Sequence, residues 1–178
     1  MNLTKICKSA KKSANDLASL SNSKRNKILE DLSKNLEKRK EEIFYANTKD
    51  LNKNKSLSKE LKDRLIINEQ KLKDIIKSIR NVKKLNDPLS GSEEYLRKDG
   101  LKIIKKVIPI GVICAIYESR PNVTIDITSL CIKSGNVAIL RGGRESLNTN
   151  STLINLSLIH ISEPTRQAEI SYAVFCLK

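Results

Sequence analysis

The stretch from Val107 to Glu145 limits what this chain can fold into more than any other part of it. Ile110 to Tyr117 is a nearly unbroken apolar run, the pattern of a strand buried on both faces. From Asn122 to Ser134 the apolar residues Val123, Ile127, Leu130 and Cys131 recur at helical spacing. Gly135 and Asn136 then end that helix, because both accept the left-handed conformation a C-cap needs. Val137 to Leu140 is a second short apolar run. Strand, helix and strand in this order predict a βαβ unit, and therefore a parallel sheet with helices on its faces.

Ligands of such sheets gather outside the carboxyl ends of the strands. Here the first strand runs into Glu118-Ser119-Arg120-Pro121-Asn122 and the second into Arg141-Gly142-Gly143-Arg144-Glu145. Both loops are polar and both carry cations. Gly142 and Gly143 allow a ligand to approach the backbone closely, and Arg141 and Arg144 suit phosphate. The Asn122 amide can donate to a developing oxyanion. Each feature also has a purely structural reading, since paired glycines after a strand make a turn and an asparagine before a helix caps it.

Upstream, the pattern is helical. Leu3 to Leu20 places Ile6, Ala10, Ala14 and Leu17 on one side. Asn22 or Ser23 can cap a second helix to about Asn47, with Ile28, Leu29, Leu32, Leu36 and Ile43 inward. Thr48 to Asn54 is expected as a polar turn or short helix. Ser58 to Leu65 and Asn68 to Leu85 read as two more helices, and Asn86 to Gly91 as a breaker. Asp99-Gly100 lies between two strand-like runs, Glu93 to Lys98 and Leu101 to Val107, and predicts an antiparallel hairpin.

The formal charge of +14 raises the question of nucleic acid. Against it, lysines interleave with Glu and Asp, and aromatics make up only 3% of the 178 residues, too few for stacking on bases. Charged, solvated helix faces are the expectation, and no nucleic-acid partner. Cys7, Cys114, Cys131 and Cys176 have no metal-ligand spacing, and His160 is the sole histidine, so no metal is expected. Cys114 and Cys131 fall in apolar runs and are expected as buried, reduced thiols. No signal peptide or membrane span is legible, which makes the cytoplasm the default location.

The words IPIGVICAIYESRPNVT and LCIKSGNVAILRGGRE resemble the cofactor-binding region of the gamma-glutamyl phosphate reductases, within the aldehyde dehydrogenase superfamily. Weaker likeness runs back through SAKKSANDLASLS, ANTKDL, LKDRLIIN and DPLSG, so the resemblance covers about residues 1–155. It implies an α/β, aldehyde-dehydrogenase-like fold. Residues 1–91 would be the helical part of the cofactor-binding domain and 92–107 a bridging hairpin. Residues 108–155 would start a Rossmann-like parallel sheet, truncated in this chain.

The implied activity is NADPH-dependent reduction of L-glutamyl 5-phosphate to L-glutamate 5-semialdehyde and phosphate, in proline biosynthesis, by a homo-oligomer when full length. The implied chemistry is attack of a cysteine thiolate on the acyl phosphate, giving a thioester that hydride reduces. By this resemblance Asn122 is the oxyanion donor. Arg141 stands where it can hold the 2′-phosphate of NADP, Gly142 and Glu145 line the ribose site, and Ser119 and Arg120 face substrate. The family's catalytic cysteine would lie downstream of ILRGG, outside this chain, which is therefore expected to be inactive alone. Two other readings remain for the residues themselves: a basic helical nucleic-acid-binding module, and a non-catalytic oligomerisation module built on the hairpin.

The resemblance ends near Asn155. Leu156 to Arg166 and Ile170 to Leu177 read as the in-frame translation of a transposase-type sequencing adapter, on either side of a three-residue index, Gln167 to Glu169. Residues 156–178 are thus expected to be a non-native tail, and His160, Tyr172 and Cys176 receive no roles.

Overall fold

The computed structural model describes residues 3–158 and 174–176. Seven helices and five short strands follow in the order α1 (Leu3–Ala18), α2 (Asn22–Lys38), α3 (Lys40–Lys53), α4 (Lys59–Leu65), α5 (Glu69–Lys84), β1 (Ser92–Leu96), β2 (Lys102–Lys106), β3 (Val112–Ile116), α6 (Pro121–Lys133), β4 (Val137–Arg141), α7 (Leu147–Leu158) and β5 (Val174–Cys176). A single 3-10 turn at Arg144–Ser146 leads into α7.

The expected βαβ unit is present. β3 and β4 pair in parallel, with Val112 opposite Val137 and Ile116 opposite Arg141. Gly135 has φ +71°, and the Asn136 N–H donates to the Cys131 carbonyl at 2.8 Å, which closes α6 as a left-handed glycine cap does. Asn136 also accepts from the Gly111 N–H at 2.8 Å through its side chain, so the same turn registers the start of β4 against the approach to β3.

Two apolar clusters hold the molecule together. The larger joins α2, α3 and α5 to one side of α6 and α7, through Leu29, Leu36, Ile43, Ile75, Ile79, Ile125, Ile132 and Leu153. The other joins α1 to the sheet, through Ile6, Ala10, Leu17, Val137, Ala138, Ile139 and Leu140 with Cys131 and Ile154. Burial of these side chains is the dominant favourable term, at about 1.5–3 kcal/mol for each large one. α1 turns inward the face its spacing predicts, and α5 buries Leu72, Ile75, Ile76, Ile79 and Val82, which fall at helical spacing. Ser58 caps α4, and Asn68 caps α5 by accepting the Lys71 N–H at 2.8 Å.

Several expectations need correction. The first strand is not buried on both faces. β3 is the edge of the β3-β4-β5 sheet, so Ile116 is 79% exposed and Cys114 is exposed rather than core. α6 buries Thr124, Ile125, Thr128, Ser129 and Ile132 in addition to Cys131, whereas Leu130 faces out. The helix is packed by α2, α5, α7 and β4. Small hydroxyl residues permit that close packing and return their own donors, as Thr128 does to the Thr124 carbonyl at 2.7 Å.

The second helix starts after Ser21, which caps it, and breaks at Arg39, giving α2 and α3 instead of one rod. Arg39 adopts φ −109°, ψ 31° and pairs with Glu42. Thr48 to Lys53 continue α3 rather than turning. The hairpin forms as expected, with β1 and β2 antiparallel and no residue of either buried. Of the tail, residues 156–158 continue α7 and β5 lies parallel to β4. His160 and Tyr172 lie outside the described residues. No helix among the described residues is long and apolar enough to cross a membrane.

Candidate active site

The loops after β3 and β4 meet at one end of the sheet. The Tyr117 N–H donates to the Arg141 carbonyl at 3.0 Å, extending the pairing one step past β3. Beyond that point the Ser119 hydroxyl donates to the Glu145 carboxylate. That bond, with help from Glu145's own N–H, holds the Glu145 carboxyl below the ordinary carboxylate range.

Both glycines are required by chain-on-chain approach. A Cβ on Gly143 would stand 2.0 Å from Ser119 Oγ, and one on Gly142 would stand 2.3 Å from Asn150 Nδ2 and 3.1 Å from the Tyr117 ring. Their backbone φ values are ordinary, so it is space and not conformation that excludes a side chain. A buried polar chain lies beneath them: Tyr117 Oη and Thr124 Oγ1 are 2.7 Å apart, Thr124 donates to Asn150 at 3.0 Å, and Asn150 donates to Ser146 at 2.9 Å.

The position of α7, which follows the second loop, is set from α3. Asp50, 1% exposed, accepts from the N–H groups of Asn148 and Thr149 at 3.1 and 2.7 Å, and from both of their side chains at 2.6 Å. A carboxylate there meets the positive end of the helix dipole. Asn47, one turn earlier, accepts from the Ile67 N–H at 2.9 Å and donates to the Leu65 carbonyl at 2.9 Å, which fixes the α4–α5 joint. Sequence reasoning read this region as a polar turn. The available signal was Asn47 and Asp50 falling three apart, on the face that carries Ile43 and Ala46.

Two cavities open at this end. One of about 620 Å³ lies between the α4–α5 segment and the N-terminus of α6, with Arg64, Ile67, Lys71, Ile75, Arg120 and Asn122 in its lining. The other, about 320 Å³, is lined by Leu57, Leu61, Arg64, Glu118, Ser119, Gly143 and Glu145. Arg120 and Asn122 thus share the larger space, and Ser119 and Glu145 the smaller. Arg141 and Gly142 line neither of the two. Arg141 is exposed at the end of β4.

Asn122 sits in the first turn of α6, exposed, and donates one amide N–H to Asp126 at 3.4 Å. Asp126 in turn accepts from Ser78 on α5 at 3.0 Å. Arg64 and Asp126 were not singled out from sequence, although Asp126 falls four residues after Asn122, the spacing at which helical neighbours meet. Burial pushes the Cys131 thiol up to about 11, unsuited to a nucleophile. Among the described residues no group of three or more metal-binding side chains is placed to hold a metal.

No family model matches the chain. A gamma-glutamyl phosphate reductase of Photobacterium profundum is 40% identical over 159 residues, covering 88% of this chain and 38% of that protein. The crystal structure of a gamma-glutamyl phosphate reductase from Thermotoga maritima superposes with a TM-score of 0.92 at 32% identity, over 99% of this chain and 43% of that one. Over this common part the chain is similar to gamma-glutamyl phosphate reductases in both sequence and structure. It spans 38% of the length of that curated relative. The chain also shares its fold with a methylmalonate-semialdehyde dehydrogenase of Oceanimonas doudoroffii, at a TM-score of 0.62 and 15% identity over 94% of this chain and 32% of that one. The aldehyde-dehydrogenase-like α/β architecture expected from sequence is therefore the observed one.

Proposed function

We propose that this chain forms part of an NADPH-dependent reductase that converts L-glutamyl 5-phosphate to L-glutamate 5-semialdehyde and phosphate, in proline biosynthesis. The supporting observation is the convergence of the two loops, within a chain 40% identical over 159 residues to a protein of that name. An acyl phosphate is already a good electrophile. The work left to the protein is to orient it, to stabilise the oxyanion and to exclude water.

Asn122 supplies the oxyanion donor in this reading. One of its two amide N–H bonds is held by Asp126, which leaves the other for the reacting oxygen. The N-terminus of α6 adds the favourable end of its dipole. Arg120 and Ser119 face substrate. The donor set at the smaller cavity fits the ribose-phosphate end of NADP. Glu145, its carboxyl held below the ordinary range, suits sugar hydroxyls; Gly142, next to Gly143 of the lining, and Arg141 at the end of β4 lie outside the cavity, and in this reading Arg141 provides the cation for the 2′-phosphate. When bound, NADPH supplies the hydride.

The test is NADPH oxidation by the product of the complete coding sequence. Oxidation that appears only while glutamyl phosphate is being generated supports the assignment. Absence of oxidation under that condition rejects it.

A further inference from the structure

One carboxylate sits between two guanidinium groups on the wall shared by the two cavities. Glu118 Oε2 is 3.3 Å from Arg64 of α4 and 3.7 Å from Arg120 at the entry to α6. Arg64 lines both cavities, Arg120 the larger and Glu118 the smaller. All three side chains are in water, at 47, 46 and 71% exposure for Arg64, Arg120 and Glu118. Such solvated pairs contribute little to stability. A pair of arginines converging on one oxyanion is, however, the arrangement that recognises carboxylate and phosphate.

We infer that Arg64 and Arg120 form an anion clamp for an oxyanion of the substrate, with Glu118 as the internal stand-in that the ligand displaces. This rests on the reductase reading, which supplies a substrate with a carboxylate at one end and a phosphate at the other. Displacement costs little because the two pairings that Glu118 leaves are both exposed to water. The ligand gains two charge-assisted contacts beside the apolar lining of Ile67 and Ile75. Asp126 shares the larger cavity but is already engaged by Ser78 and Asn122, so it does not compete for the clamp. Lys71 adds a third cation to the same space, its ammonium tied to the Asp63 carbonyl. The clamp therefore lies next to Asn122, so that an acyl phosphate anchored at one end brings its carbonyl toward the amide.

The full chain can be titrated at low salt with L-glutamate and, separately, with inorganic phosphate, following the arginine side-chain resonances. Binding in the glutamate arm assigns the clamp to the carboxylate end, and binding in the phosphate arm assigns it to the phosphate end. Arg64→Ala and Arg120→Ala are each expected to weaken the bound anion roughly tenfold. Arg64→Lys should be intermediate, since it keeps the charge and loses the fork. Glu118→Gln is expected to tighten binding by a few-fold. Two results overturn the proposal: no binding of either anion, or binding that the two alanine variants leave unchanged. An unaltered affinity in Glu118→Gln removes the stand-in. None of these readouts needs turnover, so a chain that clamps anions while the complete enzyme fails to oxidise NADPH separates this inference from the reductase assignment.

Discussion

Asp50 Oδ2 accepts the backbone N–H of Thr149 at 2.7 Å across 99 residues of sequence. One buried carboxylate thereby ties the helical layer to the helix that follows the Gly142-Gly143 loop. Asp50→Ala leaves four donors on Asn148 and Thr149 without their acceptor. The expected loss is about 3 kcal/mol, read as a drop in the urea midpoint at constant m. Asp50→Asn should recover part of it. A loss below about 1 kcal/mol means that water replaces the carboxylate.

Gly143 and Ser119 predict a coupled pair. Gly143→Ala places a methyl where Ser119 Oγ now lies, at a cost of about 1–3 kcal/mol. The double variant Ser119→Ala/Gly143→Ala should be destabilised by less than the sum of the single variants, because the hydroxyl that clashes is gone. Additive denaturation free energies contradict the packing argument.

Asn122→Ala in the complete enzyme should lower kcat by about 10²–10³ and change KM for glutamyl phosphate little, as removal of an oxyanion donor does. Unchanged turnover withdraws Asn122 from the chemistry.

Arg141→Ala should weaken NADPH roughly tenfold or more and leave NADH nearly unaffected. The check is the ratio of the two KM values. Equal losses for both cofactors would sink the 2′-phosphate role.

Cys131 should resist alkylation. With the thiol pushed up to about 11, its thiolate fraction at pH 8 is about one in a thousand. Exposed Cys7 and Cys114 should be labelled well before it, resolved by peptide mass spectrometry. The sign for stability follows. The folded thiol's pKa is raised above the unfolded value, so its contribution is complete below about pH 8.5 and is lost as pH rises toward 11. In Cys131→Ala that alkaline decline should be shallower. Rapid labelling of native Cys131 at pH 8 contradicts its burial.

The βαβ unit was legible because the apolar runs at Ile110 and Val137, with Gly135 between helix and strand, encode local geometry. The face of α6 was not. A helix packed on several sides selects small residues that return their own hydrogen bonds, and Thr124 and Ser129 carry no hydrophobic signal. The exposure of Cys114 is not legible, because an apolar strand looks the same in sequence whether or not a neighbour covers it. The candidate loops could be located from strand ends alone, and Ser119 and Glu145 do touch. Arg64 escaped notice because its meeting with Glu118 depends on how α4 docks, 54 residues away along the chain. The two glycines were read as room for a ligand, whereas the space they leave is filled by Ser119, Asn150 and Tyr117.

The open side of β3 bears on how this chain behaves at the bench. Ile116 at 79% and Ile110 at 84% exposure lie along or beside a strand edge that is unpaired among the described residues, with Ile108 at 72% just upstream. A flat apolar edge is a template for another strand. Preparations of the 178-residue polypeptide should therefore turn cloudy with concentration and age. A charged substitution such as Ile108→Lys, exposed just upstream of β3, is the simplest way to keep them clear.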